Sequence, residues 1–492
     1  MSLTQTVTRG ASWLAVAQIA QRLTTLLVTA ILARQLLPED FGLIALTLLA
    51  VNFISYFQDM GLGSALVQRE TIDDDHLSTT FWLNLSCGLL LALVGVALSP
   101  LIAAAFREPR LTILLVTMMA TMPINGCGWT SSAILQRRLR FKEIAIIDWV
   151  TTLVSGLLAV ILALSGAGVW SLIGQNIAAS VISSGGRLVA AKWLPRARFN
   201  FRKARQLASF SIGALGYAVV NHGMRNVDNA IVGAFLGVTA LGYYSLAYNL
   251  VLMPGMTVCG LIGKVMFPAL SSLQNDLPRF RRAYLRMVRS VAFITFPLIL
   301  GLGATANPLV PAIYGPRWLP VVPIIEILIL VGVFEAIAVW GIAAWALGQT
   351  RMSMQLACIS LISMTAAFLI GVRWGLVGVA WAYVAISPLV FILPHIWTNH
   401  LMHLRFSLLL KALTPPFVAS LLMTIIVLGL RMNEFQVSKL PWINLFAYVV
   451  IGGCVYSISL ITIALMTRQD EGIGSWILGR NLSDGQTQSI HV

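Results

Sequence analysis

Residues 212–236 read IGALGYAVVNHGMRNVDNAIVGAFL, and this stretch decides the fold. It is long and apolar enough to cross a bilayer, yet it carries Asn221, His222, Arg225, Asp228 and Asn229. Successive spacings of 1, 3, 3 and 1 put these five on one stripe of a helix. A charge at mid-bilayer depth costs about 2.5–3.5 kcal/mol on insertion scales, so the stripe is expected to face protein or water, not lipid. Two roles fit it. Either the stripe lines a wet pathway, or an Arg225–Asp228 pair glues helices together.

The rest of the chain has the same character. Of 492 residues, 58% are apolar and only 10% charged, and mean hydropathy is +0.85. A soluble domain carries about 25% charged residues. Apolar runs of roughly 20 residues recur from end to end, which predicts an all-α integral membrane protein. Fourteen spans are predicted, near 10–33, 41–63, 79–103, 111–135, 144–164, 168–190, 209–235, 241–268, 290–313, 321–347, 353–371, 375–398, 412–430 and 443–466. The N-terminal run is too long, and too interrupted by Arg22, for a cleaved signal.

The net charge of +15 does not point to nucleic acid, because the basic residues sit in short loops between spans. Alternate loops hold 22 Lys and Arg on one side, Arg137 to Lys142, Lys192 to Arg205 and Arg279 to Arg289 among them, against 7 on the other. That bias predicts both termini in the cytoplasm. It also predicts that the basic loops meet anionic phospholipid.

An offset of 200 residues aligns ILARQLLPEDFGLIAL (31–46) with IVGAFLGVTALGYYSL (231–246). It lays Gln21, Arg22, Thr25 and Thr29 on Asn221, His222, Arg225 and Asn229. Two parallel six-span halves are expected, related by an axis along the membrane normal. The predicted organisation is a lobe at 1–191, a basic cytoplasmic linker at 192–208, a second lobe at 209–398, two added helices within 399–467 and a cytoplasmic tail at 468–492. Pro254-Gly255 is the expected hinge.

Catalytic chemistry finds no foothold. The five cysteines are scattered, with no CxxC or Cys/His cluster, so no metal or disulfide framework is expected. No phosphate-binding Walker loop, HExxH or nucleophile elbow occurs. The run Asp73 to Asp75 has no second acidic motif and reads as solvated charge. Of six histidines, His222 alone is expected to lie deep. No enzyme activity and no cofactor are expected.

Several segments resemble one family: ILARQLLPEDFGLIAL (31–46), GLGSALVQRE (61–70), RNVDNAIVGAFLG (225–237), ALGYYSLAYNLVLMPG (240–255) and FPALSSLQNDLPRFRRAYLR (267–286). They are similar to the polysaccharide-transporter branch, the Wzx-type flippases, of the multidrug/oligosaccharidyl-lipid/polysaccharide exporter superfamily. The colanic-acid and succinoglycan exporter type is the nearest in character. The resemblance implies a two-lobe transporter with a V-shaped central cavity in the bacterial inner membrane. It would move undecaprenyl-diphosphate-linked oligosaccharide by alternating access, beside a polymerase and glycosyltransferases.

Depth and stripe, not motif, then nominate residues. Arg22 and Arg225 would bind the diphosphate through their planar forks. Gln18, Gln21, Asn52, Asn221, His222 and Asn229 would contact the sugar, with Trp13 and Tyr217 as stacking candidates. Asp228 and Glu335 are the candidates for coupling to a proton or sodium gradient. Three alternatives stay open: a multidrug/cation antiporter of the same superfamily, a peptidoglycan-precursor flippase, and a scaffold for biosynthetic enzymes.

Overall fold

The computed structural model describes residues 3–59, 63, 66, 67, 69, 72–201, 204, 211–433, 438 and 441–466. The side chains of Trp13, Asp59 and Tyr217, parts of the 192–208 linker and the tail at 468–492 lie outside the described residues. The described chain is helical throughout, with no strand among its residues. In order, the helices are α1 (Leu3–Gln35), α2 (Pro38–Asp59), α3 (Asp74–Ala105), α4 (Arg110–Met119), α5 (Thr121–Arg137), α6 (Phe141–Leu164) and α7 (Trp170–Ala191). There follow α8 (Ser211–Ser272), α9 (Leu277–Ile313), α10 (Val322–Glu335), α11 (Trp340–Ala346), α12 (Thr350–Gly371) and α13 (Gly375–Ser387). The last three are α14 (Leu393–Leu401), α15 (Phe406–Met432) and α16 (Pro441–Met466).

Ten stretches of the described residues are long and apolar enough to cross a membrane. One of them, Ala218–Ser272, has 55 residues, more than twice the ~20 that one crossing needs. Gly237, at φ 84° and ψ 176°, breaks α8 into two helices, 211–236 and 238–272. Large aliphatic side chains face outward at mid-helix, Leu93 at 69% exposure and Ile161 at 62% among them. That is the surface of an integral membrane protein, whose solvent is hydrocarbon.

By its contacts the chain forms two compact units. One comprises Met1–Asn249, Ile313–Leu328 and Thr350–Val390, the other Leu250–Ala312, Ile329–Gln349 and Phe391–Val492.

In the first unit, the N-terminal turns of α2 and of the 238–272 helix cross at van der Waals distance. A Cβ on Gly42 would stand 1.7 Å from the Val238 carbonyl oxygen, and one on Gly242 would stand 1.8 Å from that of Pro38. The two approaches exchange under the 200-residue offset, 42 with 242 and 38 with 238. At this crossing each of the two aligned segments thus offers a glycine to the other's carbonyl. Only glycine lets two backbones meet so closely, and its Cα hydrogens face the partner's carbonyl. Trp318, fully buried, covers the crossing. Its ring stands edge-on to Phe41 and Tyr243 at 5.1 and 5.9 Å, and its indole N–H donates to the Ala33 carbonyl at 2.8 Å. Arg110 joins Glu39 to Glu108 nearby and holds the Glu108 carboxyl below the usual range.

At the opposite end of the same helices, Asp73 caps α3. The His76 amide donates to its carboxylate at 2.9 Å, and the His76 ring turns back to the Asp73 amide. Asp74 pairs with Arg196 at 2.9 Å. The Arg196 amide donates to Ser78, its carbonyl accepts the Trp82 indole, and the Asn200 amide donates to Thr79. The acidic run therefore caps a helix and pins the start of the basic linker. Between α2, α3 and α5, the buried Gln58 amide donates to the carbonyls of Asn84 (3.2 Å) and Met122 (2.8 Å), through gaps left by Gly88 and Gly126.

In the second unit the backbone stays helical through Pro254-Gly255. A break occurs at 336–339, between α10 and α11, in a stretch free of Pro and Gly. The Ala336 carbonyl faces the Cys259 thiol at 3.7 Å and the Ile337 carbonyl accepts from His395 at 2.7 Å. His395 is 1% exposed, which corrects the expectation that His222 alone lies deep. Its position near the end of an apolar run hid the packing that buries it. A carbonyl only accepts, so Nε2 carries a proton, and the Tyr284 hydroxyl lies 2.9 Å from Nδ1.

The crossing gives a sharp prediction. Gly42→Ala or Gly242→Ala should each cost about 1–3 kcal/mol or more, seen as a lower thermal unfolding midpoint of the detergent-purified protein. Gly185→Ala, with nothing within 4 Å, should leave that midpoint unchanged or slightly raised.

Candidate functional site

All eight residues nominated for substrate lie in the first unit, on α1, α2 and the 211–236 helix. Arg22, Asn52 and Arg225 are exposed, Gln18, Gln21, Asn221 and Asn229 half-buried, and His222 buried. The stripe on the 211–236 helix therefore has an exposed edge, with Arg225, and a buried edge, with His222 and Asp228, while Arg22 is exposed on α1.

On the buried edge, both carboxylate oxygens of Asp228 are engaged. Asp228 is 1% exposed. One of its oxygens accepts the Tyr244 hydroxyl at 2.9 Å and the other accepts the Asn229 amide at 2.8 Å. Tyr244 lies beyond the Gly237 break, so this bond ties the two halves of α8 together. Tyr248, 6.1 Å from the Tyr244 ring, points its hydroxyl at the Arg225 carbonyl. Arg225 in turn donates through Nε to the Asn221 side chain at 3.0 Å, one turn away. The guanidinium is thus aimed by its own helix. The His222 ring lies 5.1 Å from Tyr56 and 5.9 Å from Phe53, next to Asn52 on α2. Asn52, Asn221, His222 and Arg225 are thereby brought to one side of the unit.

On α1 the same register is used differently. The Gln21 amide donates to Thr152 at 2.9 Å and to the Asp148 carbonyl at 3.4 Å, both on α6. Asp148 is ion-paired with Arg187 of α7 at 2.9 Å. Gln21 therefore clamps α1 to α6, and its neighbour Arg22 is left on the exposed side. That pair joins α6 to α7.

Glu335 belongs to the second unit, buried as the last residue of α10, directly before the break. The carbonyls of Ala336 and Ile337, which follow it in the unwound stretch, are taken up by Cys259 and His395. Nothing in the spacing of this apolar run signalled the break. Among the described residues no three His, Cys, Asp or Glu side chains are grouped as metal ligands.

The profile of the family described as polysaccharide biosynthesis protein matches residues 31–323. Among curated relatives, the teichuronic acid biosynthesis protein TuaB of Bacillus subtilis (strain 168) is 27% identical over 94% of this chain and 96% of its own length. The succinoglycan biosynthesis transport protein ExoT of Rhizobium meliloti (strain 1021) is 25% identical over 93% of each. The lipopolysaccharide biosynthesis protein WzxC of Escherichia coli (strain K12) is 26% identical over 68% of this chain and 69% of its own. Among solved structures, the lipid II flippase MurJ in an inward closed conformation superposes with a TM-score of 0.75 at 17% identity, covering 93% of this chain and 99% of that one. An inward-facing multidrug transporter of the MATE family gives 0.62 at 14% identity, covering 77% and 95%. These two likenesses establish the transporter fold. With more than half of its length matched by the family profile, the chain belongs to the polysaccharide biosynthesis protein family.

Proposed function

We propose that this protein is a flippase that moves undecaprenyl-diphosphate-linked oligosaccharide repeat units across the bacterial inner membrane, for exopolysaccharide or lipopolysaccharide assembly. End-to-end similarity to proteins named for teichuronic acid and succinoglycan biosynthesis supports the substrate class. The observation that carries the mechanism is the pair of exposed arginines, Arg22 and Arg225, at nearly matching positions of the 200-residue repeat. An anionic diphosphate needs cationic forks, and exposure leaves both reachable. Asn52, Asn221, His222 and Asn229 supply hydrogen bonds for sugar hydroxyls, with Gln18 and Gln21 on the α1 side. The wider reading has fourteen crossings, lobes at 1–191 and 209–398, two added helices, a V-shaped cavity and both termini cytoplasmic. The lobes alternate access, the 192–208 linker meets anionic phospholipid, and polymerase and glycosyltransferases are the expected partners.

Gradient coupling is assigned to Asp228 and Glu335, the two buried carboxyl groups among the described residues. The multidrug/cation antiporter alternative shares the fold, and efflux by a drug-sensitised strain separates the two.

Arg22→Ala and Arg225→Ala should each lower polymer export about tenfold or more while the protein remains inserted in the membrane. Export unchanged in both would remove the arginines from the pathway. In proteoliposomes, Asp228→Asn keeps the size of the side chain but not its charge, so transport should stop responding to a proton or sodium gradient. A variant that still responds as the parent does would exclude Asp228 as the coupling group.

A further inference from the structure

The helix α9 starts well before its apolar part. It begins at Leu277, whereas the uncharged run covers 291–313. At 1.5 Å per residue those 23 residues span about 34 Å, enough for a hydrocarbon core of ~30 Å. The first turns therefore stand outside the core, and they carry Arg279, Arg281, Arg282, Arg286 and Arg289.

Four of these arginines share a face. Arg279, Arg282, Arg286 and Arg289 follow one another at spacings of 3, 4 and 3, one stripe of an α-helix. Phe280, Tyr284, Met287, Val288 and Val291 are buried on the other side. Arg281 leaves the stripe and donates to the Met402 carbonyl. Arg279 pairs with Asp276 at 3.3 Å. Arg282 and Arg286 are exposed and Arg289 is half-buried. None of these three has a hydrogen-bond or ion-pair partner among the described residues. Nor does the unit offer a counter-ion, because Asp276 and Glu335 are the acids among its described residues.

Depth identifies what is missing. Arg289 stands about 3 Å, and Arg286 about 7 Å, before the uncharged run along the helix axis. The headgroup layer on each side of a bilayer is roughly 5–8 Å thick. Both guanidinium groups thus fall at the level of lipid phosphates, with Arg282 and Arg279 rising beyond it. One turn inward on the same face, Phe293 is 40% exposed and sits edge-on to Tyr456 of α16 at 5.9 Å. An apolar surface continues from the cationic one, as an acyl chain below a phosphate requires.

We infer that Arg286 and Arg289 form a binding site for the phosphate of an anionic glycerophospholipid, whose acyl chain lies against Phe293. A half-buried guanidinium without a protein partner is stabilised by a bidentate phosphate. Arg282 and Arg279 extend the positive field toward the leaflet surface and raise the local concentration of anionic lipid. The site is separate from Arg22 and Arg225 and does not depend on the transported substrate.

Native mass spectrometry of the detergent-purified full chain tests this, with phosphatidylglycerol, phosphatidylcholine and undecaprenyl diphosphate as probes. The parent should bind phosphatidylglycerol about tenfold more tightly than phosphatidylcholine, and R286Q/R289Q should lose that preference. R289Q alone removes an unpartnered charge and is expected to fold; it should lose about half of the preference on a logarithmic scale. R286K/R289K, which keeps charge without the planar fork, should fall between parent and double Gln variant. Equal phosphatidylglycerol binding by parent, R289Q and R286Q/R289Q would overturn the proposal. So would a parent that binds undecaprenyl diphosphate more tightly than phosphatidylglycerol and loses only that preference on substitution. That second outcome would make the stripe a substrate site instead.

Discussion

Two helix N-termini crossing through glycine hold the first unit in register. The Gly42 and Gly242 approaches are reciprocal, so each repeat supplies both a glycine and a carbonyl to the other. Hydrocarbon gives helices no hydrophobic reason to associate, since lipid tails are as apolar as leucine. Close packing of backbones and satisfied polar groups have to supply the association instead. Here the crossing is covered by Trp318, whose indole N–H also satisfies a carbonyl at the end of α1. One residue thus seals the crossing against lipid and ties α1 to it. Farther along the helices, small residues serve the same purpose: Gly88 and Gly126 admit the Gln58 amide to two backbone carbonyls.

Polar groups in the bundle divide into those spent on structure and those left outward. Asp228 is saturated by Tyr244 and the Asn229 amide, Asp148 by Arg187, and Gln21 by α6. Each joins helices that lipid alone would not hold. Arg22, Arg225, Arg282 and Arg286 stay exposed. Exposure is what these four side chains share, whereas the engaged groups are buried or half-buried between helices.

The broken α10–α11 stretch shows a different economy of hydrogen bonds. Unwinding a membrane helix exposes carbonyls that must find donors within the protein. At 336–337 the donors are Cys259 and His395, 77 and 58 residues away in sequence. His395 is held between that carbonyl and Tyr284. The break places Glu335 at a helix end with its side chain buried.

The sequence by itself determined the class of molecule: apolar runs, sparse charge and the polar stripe at 221–229 demand a helical membrane protein. It also determined the 200-residue repeat, because a glycine needed at one crossing is needed again at its equivalent. The placement of Arg22, Arg225, Asp228 and Glu335 inside apolar runs was legible too, since such a charge is visible in one dimension. Only the tertiary structure decided which of them are spent and which stay reachable. Gln21 and Gln18 look alike in sequence, yet Gln21 meets Thr152 across 131 residues. The break at 336–339 and the burial of His395 were likewise invisible. Their determinants are hydrogen-bond partners far along the chain, and hydropathy records only what a residue avoids, not whom it meets.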